Sequence, residues 1–186
     1  MKTLMRSAAV GLALALSAQA AQAQAGLSLG LGAGAVVPSG DMADFHSTGW
    51  TGQASLRVKP AVSPLGFQFD ASYGRLGIDS NVFDGHTSML AGTANAVYAF
   101  PSAAVARPYL IGGVGAYNMK ASAEGAESVT KFGANAGAGF DLKLGSASLY
   151  AEGRFHAIFS ALDSGAGDAS TAYMIPLTVG LRWNLR

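Results

Sequence analysis

The chain has 186 residues, half of them hydrophobic, with 12 basic and 11 acidic residues and no cysteine. A formal charge of +1 gives no sign of a nucleic-acid partner, and the lack of cysteine excludes disulfides and a Cys-acylated lipoprotein. After residue 25 no stretch is apolar over about 18 residues, so the hydrophobicity is not packaged as membrane helices.

Residues 1–25 read as an export signal. Met1 to Arg6 carries Lys2 and Arg6, Ala8 through Leu16 is an apolar run too short to span a bilayer, and Ser17 to Ala25 is rich in small residues. A basic start, a short apolar core and an Ala-x-Ala ending predict a secretory signal peptide, cleaved after Ala23 or Ala25. Its removal takes Lys2 and Arg6 with it and shifts the formal charge from +1 to −1. Residues 26–186 are then one domain.

In that domain the apolar residues recur with period two, which puts them on one face of a strand. The spacing predicts strands over 26–37, 48–59, 65–76, 88–100, 108–119, 130–143, 147–159 and 172–185. In the second, Trp50, Gly52, Ala54, Leu56 and Val58 alternate with Thr51, Gln53, Ser55, Arg57 and Lys59. In the third, Phe67, Phe69, Ala71 and Tyr73 alternate with Gln68, Asp70, Ser72 and Gly74. The sixth sets Phe132, Ala134, Ala136, Ala138 and Phe140 against Gly133, Asn135, Gly137, Gly139 and Asp141. The seventh sets Leu149, Ala151 and Phe155 against Tyr150, Glu152, Arg154 and His156, and the eighth sets Leu177, Val179, Leu181 and Trp183 against Thr178, Gly180 and Arg182. The Ala-rich fourth and glycine-broken fifth carry the weakest alternation.

The connections alternate in length. Pro60 to Pro64, Pro101 to Ala106 and Leu144 to Ser146 are short, whereas Pro38 to Thr48, Gly77 to Thr87, Lys120 to Val129 and Ser160 to Thr171 are longer and polar. Short turns on one side and long loops on the other, with strands of about 11 residues, fit a tilted transmembrane β-barrel whose short turns are periplasmic. Trp50, Tyr98, Phe100, Tyr109, Tyr117, Tyr173 and Trp183 gather toward strand ends, where interfacial aromatic belts form. In hydrocarbon every backbone group must be paired, so the sheet must close. The expected fold is all-β: a closed antiparallel barrel of about eight strands in the outer membrane of a Gram-negative-type bacterium. A soluble barrel with its apolar face inward is the rival. The long strands, the aromatic ends and the glycine-rich polar faces favour the membrane.

On this reading the lumen holds Arg57, Asp70, Asp141, Glu152, Arg154 and Arg182, with Gln53, Gln68 and Asn135 among them, and the acids should bind the arginines. Gly30, Gly32, Gly34, Gly133, Gly137 and Gly139 leave room for the long side chains. The cluster reads either as a gated polar pathway or as a plug. An eight-stranded interior is just wide enough for side chains to fill, which favours the plug.

The long loops hold eight acids, Asp41, Asp44, Asp79, Asp84, Glu124, Glu127, Asp163 and Asp168, while the opposite end offers Lys59, Arg107, Lys143 and Arg186. The acidic rim reads as solvated loops or as a holder of divalent cations bridging to anionic lipid. No run has the spacing of a calcium loop, and no motif calls for a cofactor. His156 and Ser160 share one strand face but lie ~13 Å apart at strand rise, too far for a base and its nucleophile. Loop-borne His46, Asp79 and Ser80 are the residue types of a lipid-modifying barrel, without a motif around them.

The chain resembles the opacity-type outer membrane protein beta-barrel domain family over nearly all of 26–186. The resemblance rests on Gly26-Leu-Ser-Leu-Gly-Leu-Gly-Ala-Gly followed by Val37-Pro38-Ser39-Gly40-Asp41, on Arg107-Pro108-Tyr109-Leu110-Ile111-Gly112-Gly113-Val114-Gly115, on Phe132 to Gly139, and on Pro176-Leu177-Thr178-Val179-Gly180-Leu181-Arg182-Trp183. It implies insertion among outer-membrane lipids by the barrel-assembly machinery, which reads a C-terminal strand commonly ending in an aromatic; here Asn184, Leu185 and Arg186 follow Trp183. The expected function is a non-enzymatic barrel with a structural or surface-contact role, its surface ligand unspecified. A small-solute pore and a lipid-modifying enzyme are the alternatives.

Overall fold

The computed structural model describes residues 25–40, 43, 46–60, 63–78, 85–101, 105–122, 127–159 and 171–185. The predicted signal peptide lies outside them except for Ala25, which begins the first strand. Eight antiparallel strands follow in chain order: β1 (Ala25–Ser39), β2 (His46–Pro60), β3 (Leu65–Ile78), β4 (His86–Ala99), β5 (Ala106–Ala121), β6 (Val129–Leu144), β7 (Ala147–Ile158) and β8 (Ala172–Leu185). Each pairs with its neighbours in sequence, and β1 pairs with β8, closing the barrel. Strands of 12 to 16 residues exceed the length a tilted strand needs to cross the hydrocarbon. The glycine-broken β5 is the joint longest, because it is paired on both sides and the ladder outweighs its weak propensity.

The two strand faces separate as the alternation requires. Leu29, Leu31, Phe67, Phe69, Val114, Phe132, Leu177 and Val179 are exposed on the outside, while Ser28, Arg57, Gln68, Asp70, Asn95, Glu152 and Arg182 are buried inside. Trp50, Tyr98, Phe100 and Trp183 also project outward near strand ends. Tyr109 and Tyr117 do not. They are 1% and 0% exposed and point into the barrel, so their placement in the aromatic belt is corrected. Tyr109 stands between Pro108 and Leu110, and Tyr117 follows Gly115 and Ala116, which hides strand parity in this stretch of sequence.

Tight packing at the closing seam depends on glycine. Gly32 and Gly180 face each other across β1 and β8, and the fully buried Tyr150 ring lies over both. A Cβ on Gly180 would stand 2.7 Å from Tyr150 Cε1 and collide with the Leu31 carbonyl. Gly180→Val is therefore expected to cost about 1–3 kcal/mol by overpacking, read from denaturant unfolding of the refolded barrel. Gly92, whose Cβ would meet nothing within 4 Å, supplies a neutral control as Gly92→Ala. At the short-turn end, Gly145 adopts φ +65° in the two-residue β6–β7 turn, a conformation that other residues rarely adopt.

Candidate functional site

The lumen is the one place among the described residues where many chemically active side chains converge, and Asp70 is its hub. Its Oδ1 accepts from Gln53 Nε2 (3.2 Å) and Gln68 Nε2 (2.8 Å). Its Oδ2 accepts from Thr93 Oγ1 (3.2 Å), Asn95 Nδ2 (2.8 Å) and Arg154 Nη1 (2.8 Å). Arg154 turns its other edge to Glu152, with Nε 2.7 Å and Nη2 2.6 Å from Oε1. Glu152 Oε2 accepts from Tyr109 Oη at 2.8 Å. A carboxylate with donors from β2, β3, β4 and β7 meets the condition under which a buried charge is tolerable.

The remaining three of the six charged residues form a second cluster nearer the short turns. Arg57 and Arg182 both bond to Asp141, Arg57 at 2.9 Å. Gln68 joins the clusters, accepting from Arg57 Nε at 2.6 Å while donating to Asp70. The guanidinium groups also lie over tyrosine rings, Arg57 4.3 Å from the centroid of Tyr109 and Arg182 4.5 Å from that of Tyr150. Asn135 donates to Asn95 Oδ1 at 2.9 Å, bringing in β6.

Two features depart from the sequence reading. Thr93, Asn95 and Tyr109 belong to the network although they lie on the two strands with the weakest alternation. Toward the long loops the lumen is also apolar: Val36, Leu76, Met89, Ala91, Tyr117, Ile158 and Met174 form a buried inner cluster. Its signal in the sequence is doubled apolar residues at loop-proximal strand ends, as in Val36-Val37, Met89-Leu90 and Ile158-Phe159. Nor do the glycines serve arginines alone. Gly133, Gly139 and Gly32 lie under Tyr117, Tyr109 and Tyr150, whereas Gly137 lies against Arg154.

Of the loop candidates, His46 Nε2 is hydrogen-bonded to Thr87 Oγ1 at 3.0 Å. Asp79, Ser80 and Ser160 lie outside the described residues, as do the rim acids other than Glu127. His156 Nδ1 shares a 2.8 Å hydrogen bond with Tyr117 Oη inside the barrel.

A family model described as outer membrane protein beta-barrel domain matches residues 7–184. No curated protein is matched by sequence. Among solved structures the fold is similar to Neisserial surface protein A, at 16% identity over 87% of this chain and 99% of that one, TM-score 0.63. A major outer membrane protein of Thermus thermophilus is similar at 15% identity, over 87% and 99%, TM-score 0.60. The outer membrane protein OprG of Pseudomonas aeruginosa is similar at 12% identity, over 88% and 97%, TM-score 0.58.

Proposed function

The chain belongs to the outer membrane protein beta-barrel domain family, and from that premise we propose that it is a non-enzymatic envelope barrel, its lumen closed and its long loops making the surface contacts. Its place is the outer membrane, among lipids, with the N-terminal signal peptide removed on export and the assembly machinery engaging the β8 end near Trp183. The observation that carries the closed lumen is the Asp70–Arg154–Glu152 layer. The side chains of these residues are 4%, 4% and 2% exposed, and the void beside them is about 20 Å³, room for about one water. The apolar cluster on the loop side supports the same reading, since a constriction lined by apolar side chains disfavours the passage of hydrated ions.

Recording in planar bilayers tests this reading. The wild-type barrel is expected to give no steady conductance steps, and regular single-channel steps would replace the closed barrel with a pore. A second reading, the small-solute or ion pore, draws on the roomier mouth at the short-turn end, where a pocket of about 340 Å³ leads inward from Lys59, Lys143 and Arg107.

A further inference from the structure

The mouth at the short-turn end differs from the rest of the lumen in its charge. Its pocket of about 340 Å³ is lined by five cations, Arg57, Lys59, Arg107, Lys143 and Arg182, and by the single carboxylate of Asp141. Asp141 is already shared by Arg57 and Arg182. These two arginines are 7% and 4% exposed, and each keeps donors without a partner: Nη2 of Arg57, Nε and Nη2 of Arg182. Arg107 Nε is also buried and unpartnered. These donors are enclosed among the side chains at the pocket wall, and with Asp141 already shared the lining keeps a surplus of positive charge that an anion would neutralise. Arg57 and Arg182 also lie over the rings of Tyr109 and Tyr150, which hold the two guanidinium charges in place at the inner end of the pocket.

We propose that this periplasmic vestibule is a binding site for a multiply charged phosphate compound. Five cations against one carboxylate call for at least a dianion, because a monocarboxylate would leave most of the repulsion in place. Arginine edges match phosphate oxygens two at a time, and the lysines add point charges at the rim. The pocket falls within the size range of small-ligand sites and is larger than one phosphate requires. The site stands whether or not the lumen conducts: a closed lumen makes it a blind pocket, an open one a selective entrance.

The test uses the protein purified from outer membranes in a non-ionic detergent and titrated calorimetrically at low salt with pyrophosphate and, separately, with water-soluble dihexanoyl phosphatidic acid. Saturable binding of pyrophosphate is expected. The double variant Lys59→Gln/Lys143→Gln, which leaves the Arg57–Asp141–Arg182 contacts intact, should weaken it by about tenfold or more, a loss of about 1.4 kcal/mol. The folded, heat-modifiable gel band reports that the variant is intact. Binding of phosphatidic acid alone, equally sensitive to the variant, supports the site with an inner-leaflet lipid head group as its source. Absence of binding by both probes, or affinity unchanged in the variant, overturns the proposal.

Discussion

Replacing Arg154 with Met is expected to lower the unfolding free energy of the barrel by roughly 3–5 kcal/mol, the cost of leaving buried charges without their partner. Arg154 is the only cation the described residues offer to both Asp70 and Glu152. Its loss strands two buried carboxylates inside the barrel. Asp70 retains four neutral donors, while Glu152 retains only Tyr109 Oη. The triple variant Arg154→Met/Asp70→Asn/Glu152→Gln should recover much of the loss, since uncharged amides cost far less to bury. The measurement is the urea midpoint of the heat-modifiable band after refolding in detergent or lipid. An unchanged midpoint for Arg154→Met would remove the ion network from the account of stability.

The second large effect lies on the opposite face. Val114 sits halfway along β5, points outward and is 65% exposed. In the membrane that exposure is to hydrocarbon, so Val114→Arg should cost about 2–4 kcal/mol, the depth-dependent cost of a cation near the midplane. Asn118→Arg, on the same face but nearer the loop end of the strand, should cost only about 0–1 kcal/mol because the side chain reaches the head groups. Equal stabilities for the two variants in phospholipid vesicles would contradict this assignment of membrane depth.

The strands are legible in the sequence because period two is a local property. A residue's face follows from its neighbours two positions away, and parity alone assigns the six charged residues to the lumen. It does not assign their partners. Arg154 meets Asp70 across the barrel, 84 positions away in sequence, and only closure and stagger determine which strands confront each other. The same limit hides Asn95 and Thr93, whose amide and hydroxyl look like ordinary strand residues until Asp70 is placed beside them. Tyr109 and Tyr117 mislead for another reason: an aromatic near a strand end suits the interface or the lumen, and the nearby apolar residues and glycines give parity little to distinguish. The inner apolar cluster requires knowing that loop-proximal positions stop alternating, a pattern that also fits a strand simply ending.

The ion network also constrains how the molecule is made. Asp70 takes donors from β2, β3, β4 and β7, and Asp141 of β6 holds arginines of β2 and β8. A hairpin or a half-completed sheet therefore carries charges whose partners are still absent, and such a sheet cannot rest in hydrocarbon without heavy cost. The last pairing sets Leu27 of β1 against Leu185 of β8, the two ends of the domain. Contacts that distant form slowly. Neutralisation of the interior and closure of the seam are thus one requirement, since each needs strands from both ends of the domain in place together.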